Sequence, residues 1–493
     1  MAAFLPHLCL QNILQYFSQD LKTLYSCALV NTHWCIATIP ELWQDPFKSC
    51  HKLREPIRLA PLVNTYISFL SPATIKSLGI TSKIQQPTFF NYPVYLHNIN
   101  FNLIRGSVEL WKSPIGGQDS KDSKDTEQVL VELEKITQLC KVLCEYFLCH
   151  ASRIDHLDIC YANWDIFQLE GAKRSLSKIK SFEFDGECFP NQLKTLTSIN
   201  NNIQDLSVSL TGFGDKPKII DDIITLIQAQ NNLCNIRINI TYTSSFQNLW
   251  DNLVISPQAN SIKTIEFRDI IFDSFNTFLP LQLSKFKKLE NLRIYKCRNF
   301  DGDVQEVNDL LAFVNLHQIR VERISLKPEI FHLLLKSGNN LTEIELLDQI
   351  IERFDEIINW CGIYCKNLTK FVASIQKNQI HNIIDLLQKC PNLEYFHVYD
   401  VKLKFEHEYD PWPEYSPPEL VFFPASELME EFGEKIPKNM KVIKIWMNWL
   451  ITLEELERFI ERCVSNALNL KIMEFRHCVG FKNSHRDVIK RYL

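Results

Sequence analysis

Glycine is scarce, with 13 residues in a chain of 493. So few leave little scope for the Gly-rich turns that cradle phosphates, and none sits between a strand and a helix in the dinucleotide-binding manner. The phosphate-loop, zinc-protease, serine-hydrolase and kinase signatures are missing as well, so no catalytic residue is assigned and no enzyme activity is expected. No apolar run approaches the roughly 20 residues that cross a bilayer, and Met1 to Leu10 lacks a basic segment followed by a long apolar one. A soluble intracellular protein, cytoplasmic or nuclear and without a membrane partner, is expected. Excess positive charge is absent too: the formal net charge of −5 gives no global attraction to phosphate backbones, so nucleic acid is not expected as a partner. The 16 cysteines lack the dense spacing of small secreted scaffolds and read as reduced, buried thiols. Cys140, Cys144 and Cys149, followed by His150, lie in an amphipathic stretch with no paired C-x-x-C elsewhere, which points to core packing rather than a metal site. No metal or other cofactor is expected.

What the chain does hold is large apolar side chains, including 32 Phe and 9 Trp, in an ordinary mixture of 46% hydrophobic and 23% charged residues. That balance favours packing and binding surfaces. The length exceeds one compact core, so several domains or a stacked, repetitive architecture is expected.

Residues 4 to 47 carry two helical periods in quick succession. Leu10, Ile13, Leu14 and Phe17 follow the i, i+3, i+4, i+7 rule, and Leu21, Leu24, Tyr25, Ala28 and Leu29 repeat it after the polar break at Ser18 to Asp20. Pro6 suits a first helical turn, and Pro40 is expected to end a third short helix through Trp34 and Ile36. So short a stretch cannot build a large core and must lean on something else. A helical cap sealing the end of a solenoid is one such arrangement.

The same residues resemble the F-box. Leu5 and Pro6, Ile13 and Leu14, Leu29 and Val30, Trp34, and Leu42 with Trp43 stand in the order and spacing of that family's anchors, with Phe17 beside them. His7 and Leu8 replace the acidic residues common after the Leu-Pro pair, and His33 stands where a basic residue often precedes the central Trp. The resemblance covers about a tenth of the chain, residues 1–48. It implies docking on a Skp-type adaptor, and through it on a cullin, with Leu5, Pro6, Ile13, Leu14, Phe17, Leu29, Val30, Trp34, Leu42 and Trp43 as the adaptor-binding residues.

From Ile154 a short pattern recurs: apolar, two variable, apolar, one variable, apolar. Leu289, Leu292 and Ile294 form its clearest copy, and about twelve copies follow one another mostly about 24 to 30 residues apart. The last apolar pair alternates like a strand with one buried face, while segments such as those from Ile219, Val304, Ile380 and Glu454 read as helices. Repeated strand, loop and helix stack into an α/β solenoid of parallel inner strands and outer helices, its inner sheet on the order of 50 Å long. This part resembles the leucine-rich-repeat family over residues 151–493; a non-repetitive α/β domain is the competing reading, and the near-constant spacing argues against it.

Residues 49–150 read as a connecting segment and N-terminal cap, with a polar loop near 112–128 expected to be disordered. Ser120 or Ser123 there could accept phosphate, but the composition favours a plain solvated linker. A Pro-rich insertion near 403–427 carries Trp412 and Tyr415, as a packed surface loop or a substrate contact.

In each strand the middle variable residue points away from the core. Aligned, the copies give a column running Asp158, Glu183, Ser207, Arg237, Glu266, Arg293, Arg320, Glu345, Val372, His397, Lys444 and Glu474, with Arg268, Tyr295, Glu322, Tyr399, Trp446 and Arg476 in the next. Tyr395, His397, Tyr399 and Trp446, with Trp412 from the insertion, are the expected contacts to an unknown protein substrate, since exposed aromatics dominate binding energetics. The expectation from all of this is a substrate-recognition subunit of a Skp-cullin-F-box ubiquitin ligase. The alternative is a non-catalytic repeat scaffold or inhibitor unrelated to ubiquitylation.

Overall fold

Asp20 and Asn31 set where the second and third helices begin. The Asp20 carboxylate accepts the Thr23 N–H at 3.1 Å and the Asn31 side chain accepts the Trp34 N–H at 2.9 Å, each satisfying an otherwise orphaned donor of a first turn. The helices are α1 (His7–Gln15), α2 (Leu21–Ala28) and α3 (Thr32–Leu42). They close on a small core of Leu10, Leu14, Leu24 and Ala37, against which Cys27, Trp34 and Leu42 pack. Pro40 does not end α3 but lies inside it. Its missing N–H costs one helical bond, to the carbonyl of Ile36, whose side chain is exposed, and the Trp43 N–H still reaches the Ile39 carbonyl at 3.1 Å.

The computed structural model describes residues 5–52, 59–80, 88–112, 126–186, 191–212, 217–272, 282–298, 315–324, 328–337, 340–348, 353–376, 379–400, 423–424, 426–447, 449–476, 478 and 481–493. Most of the loop expected near 112–128 lies outside these residues, but a helix, Thr126–His150, already runs through its end. The insertion lies outside them up to residue 422. Its last part pairs as strand Phe423–Pro424 with Trp449–Leu450 and opens a helix at Ser426.

Two compact units divide the chain: residues 1–212 with 216–233, and 213–215 with 234–493. In the first, Trp43 stacks on Tyr92 with ring centroids 3.7 Å apart and meets Tyr66 edge-on at 5.9 Å. The fully buried Tyr66 in turn packs on Phe47 and Phe147. The Gln44 carbonyl accepts the His97 N–H at 3.0 Å, just before strand β1 (Asn98–Asn100). The helical module is thereby fastened to the parallel ladder β1, β2 (His156–Asp158), β3 (Ser181–Asp185) and β4 (Asp205–Leu210). This ladder begins well before residue 151. Buried Asn200 supports the turn between repeats, donating to the carbonyls of Leu176 and Ile179 at 3.0 Å each. Gly171 takes φ +79° where a Cβ would stand 2.7 Å from the Leu148 carbonyl oxygen. Gly171→Ala is therefore expected to lower the unfolding free energy by about 1 to 3 kcal/mol in urea denaturation. An unchanged midpoint would mean that the turn relaxes.

The second unit stacks nine parallel strands in chain order: β5 (Asn235–Ile240), β6 (Thr264–Arg268), β7 (Asn291–Tyr295), β8 (Gln318–Glu322), β9 (Glu343–Leu347), β10 (Lys370–Ile375), β11 (Tyr395–Asp400), β13 (Val442–Trp446) and β15 (Ile472–Arg476). The two-residue strands named above are β12 and β14. Burial alternates along most strands, as one apolar face requires. Under β5 to β7 the core is aromatic, with fully buried Trp250 touching Phe246, Phe267 and Phe286. Helices Phe354–Tyr364, Ile380–Lys389 and Leu453–Asn466 carry their apolar stripes inward, the last opened by a Thr452–Glu455 capping box. After β6, β7, β8 and β9 the chain turns through Asp269, Lys296, Arg323 and Asp348, each at φ between 50° and 53°. In the first three, the turned N–H bonds the last carbonyl of the next strand at 2.8 to 3.0 Å.

Candidate functional site

Two surfaces stand out, one in each unit. On the helical module, packing Leu10, Leu14 and Leu24 inward turns the rest of the apolar set outward. Leu8, Ile13, Phe17, Tyr25, Leu29, Val30 and Ile36 are exposed, Leu29 and Val30 by 68% and 57%. The adaptor-binding set named from the sequence is thus split. Pro6, Ile13, Phe17, Leu29 and Val30 are exposed, while Leu14 is core and Leu5, Trp34, Leu42 and Trp43 are half-buried. The Trp34 indole N–H is shielded from water and meets no acceptor among the described residues. Leu8, Tyr16, Tyr25 and Ile36 add to the exposed surface. Leu8 and Ile36 were legible, since they lie off the inward stripe of their helices, whereas the helical period placed Tyr25 on the stripe of α2, of which the fold buries Leu24 and exposes Tyr25.

On the second unit the hydrogen-bond register brings the outward column together as aligned: Arg237, Glu266, Arg293, Arg320, Glu345, Val372, His397, Lys444 and Glu474 are successive partners. Its aromatic end is more closed than the alternation suggests. Tyr399 is only 6% exposed, clustered with Leu347 and Val372, with Tyr395 and Trp446 packed against them. Its hydroxyl donates to Asp348 Oδ1 at 2.8 Å and accepts the Asp348 N–H at 3.1 Å. Burial and that carboxylate push the phenol well above its ordinary pKa. Tyr399→Phe is expected to destabilise by about 1 to 3 kcal/mol, because the Asp348 groups lose a partner where water cannot replace it; chemical denaturation reads this, and an unchanged curve would place water on Asp348.

His397 lies edge-on to Trp446 at 4.5 Å, and the Arg476 guanidinium covers the Trp446 ring at 4.3 Å. Burial, with Lys444 adding to it, pushes His397 down to about 4, so the ring is neutral at physiological pH. His397 Nε2 and Trp446 Nε1 are shielded and unpartnered among the described residues. Trp412 lies outside the described residues.

Between β5 and β10 the face is layered, with carboxylates beneath cations. Glu266 accepts from Arg237 Nε at 2.7 Å and Arg268 Nε at 2.5 Å, and Arg293 Nη1 stands 3.8 Å away. Glu345 pairs with Arg320 at 3.0 Å and Lys370 at 2.5 Å. The Tyr295 ring lies under two guanidiniums, Arg268 at 4.5 Å and Arg320 at 5.4 Å.

Cys140 and Cys144 are buried, and burial pushes the Cys140 thiol up to about 12. Cys149 donates to the Glu170 carbonyl and His150 stacks on Tyr146. Among the described residues, His156, Asp158 and Glu183 of the first unit bring metal-type donor atoms within 4.8 Å of one another. Asp158 there already accepts from Asn100 Nδ2 at 2.5 Å and from the Cys160 N–H at 2.9 Å, and His156 Nδ1 meets Ser181 Oγ at 2.8 Å. No protein-family model matches the chain, and no curated protein matches it in sequence.

Proposed function

We propose that the chain is a non-catalytic substrate-recognition subunit of a Skp-cullin-F-box type ubiquitin ligase. The helical module docks on the adaptor, the adaptor joins it to a cullin, and the repeat ladder captures a protein substrate. Its contribution to ubiquitin transfer is proximity: it holds the substrate near an enzyme carried elsewhere in the assembly.

The observation that carries this reading is the apolar surface of α1 to α3. Exposed Ile13, Phe17, Leu29 and Val30 stand beside an underlying core of three leucines and an alanine, in the anchor order of the family they resemble. So small a helical unit gains nothing in stability from leaving such groups in water, which marks them for a partner. A ladder with Arg, Tyr and Trp on its outward face suits the second role.

Affinity capture of the intact chain from cells, followed by quantitative mass spectrometry, tests the reading. Adaptor and cullin are expected in stoichiometric amount, and lost when residues 50–493 are captured instead. Their absence from the intact-chain capture would favour a repeat scaffold or inhibitor. For that alternative, the stack of Trp43 on Tyr92 speaks, since it is what a sealing cap needs. Turnover by the purified chain alone would overturn both.

A further inference from the structure

The first unit carries a cluster that the receptor reading does not use. On the outward face of β1 to β4 the register sets Asn98 and Asn100 beside His156 and Asp158, then Ser181, Glu183 and Asp185, then Asp205, Ser207 and Ser209. Carboxylates recur along these positions, and no Lys or Arg stands among them. Asp158 is the most enclosed of the acids, 7% exposed. Its partners are neutral donors, Asn100 Nδ2 at 2.5 Å, the Cys160 N–H at 2.9 Å and the Cys160 thiol, and among the described residues no ammonium or guanidinium meets it. A carboxylate charge buried in this way is costly, and burial, with the Glu183 charge adding to it, pushes the Asp158 pKa up. A cation beside it would offset that cost.

Two further donors stand close by. His156 lies two residues before Asp158 on the same face of β2, and Glu183 is the register partner of Asp158 on β3. One ligand atom from each of the three lies within 4.8 Å of the other two. Around a small divalent ion with bonds of about 2.0 to 2.2 Å, donor atoms stand roughly 3 to 4 Å apart, a spacing that small side-chain rotations reach here. Neighbours already hold the donors in place. Ser181 Oγ, 2.8 Å from His156 Nδ1, fixes the plane of the imidazole, and the Asn100 and Cys160 donors orient the Asp158 carboxylate. A carboxylate has about four lone-pair directions, more than these donors use.

We propose that His156, Asp158 and Glu183 form a site for a divalent transition-metal ion of the Zn²⁺ type. One imidazole nitrogen with two carboxylate oxygens is a donor set that such ions accept, whereas Ca²⁺ takes about six to eight oxygens and Mg²⁺ keeps several of its waters. Three protein ligands leave the remaining coordination to water. No spacing in the sequence signals the set, because its members come from two strands that meet only when the ladder forms. The site depends on neither the adaptor nor a partner for the ladder.

Calorimetric titration of the full chain with Zn²⁺ alone, after stripping with a chelator and removal of the chelator, tests the assignment. One equivalent is expected to bind with a Kd of about 10 µM or tighter, and binding should weaken as pH falls through the ordinary imidazole range, where protons compete for the nitrogen. Asp158→Asn and Glu183→Gln should each weaken it at least about tenfold. Asp158→Asn also removes a buried charge, so the metal-free variant should melt no lower than the parent, while the rise in Tm that Zn²⁺ gives the parent disappears. An acid needed only for its hydrogen bonds would instead melt lower and keep the Zn²⁺ response. Should Asp158→Asn fail to fold, His156→Gln takes its place in the titration. With Co²⁺ in place of Zn²⁺, ligand-field bands without a thiolate charge-transfer band are expected, since the donors are nitrogen and oxygen. A thiolate band, or no saturable binding of Zn²⁺, overturns the proposal. So does undiminished affinity in the variants, which would mark an adventitious ion held elsewhere among the 13 His and 16 Cys of the chain.

Discussion

Replacing Leu29 and Val30 together by Asp is expected to abolish adaptor capture while leaving the unfolding midpoint of the chain unchanged. Both side chains lie on the surface where α2 turns toward α3, and neither contributes to the Leu10, Leu14, Leu24 and Ala37 core. Each apolar anchor removed from water at a joint contributes on the order of 1.5 to 3 kcal/mol. Two lost anchors, with a buried charge in place of each, should weaken the complex by about a hundredfold or more. Calorimetric titration with purified adaptor reads this directly. Leu14→Ala is the contrast: that side chain is fully buried, so adaptor binding should fall together with the stability of the module. Undiminished adaptor affinity in the double Asp variant would mean that the exposed helical face is not a docking surface, and the ligase assignment would fall with it.

Trp250→Ala carries the largest expected effect on folding. The indole is fully buried among Phe246, Phe267 and Phe286, and its N–H donates to Gln282 Oε1 at 2.5 Å. Truncation leaves a cavity the size of a ring system and removes the indole donor from Gln282 Oε1, and cores of this kind lose about 3 to 5 kcal/mol. Guanidinium denaturation followed by far-ultraviolet circular dichroism should show unfolding at lower denaturant than in the unsubstituted chain. A shift below about 1 kcal/mol would mean that the aromatic neighbours collapse into the space.

Particular residues show how far the sequence could be read. The outward column from Arg237 to Glu474 was legible because one buried face imposes a period of two, so the residue between two core positions has only one place to point. Tyr399 lies on that same face and is nevertheless closed in. Its burial comes from Leu347 and Val372 on other strands and from Asp348 in the turn after β9, lateral contacts that no single strand encodes. The left-handed turns were illegible for a different reason. Asp269, Lys296, Arg323 and Asp348 occupy positions where glycine or asparagine would have given a signal, and in the first three the conformation is held by the next strand's carbonyl rather than by local preference. Ile13 and Leu14 read as a pair of anchors in the sequence. On a helix adjacent residues are about 100° apart, and the fold buries the second while exposing the first.

Strand β11 pairs directly with β13, Tyr395 against Val442, although 46 residues separate them where most neighbours are spaced by about half as many. Each strand takes its register from its two flanking strands and from nothing farther along the chain. Extra sequence that leaves and returns at the same edge therefore costs little beyond loop closure, which grows only with the logarithm of its length. An insertion between two rungs thus leaves the pairing of the rungs on either side as it would be without it.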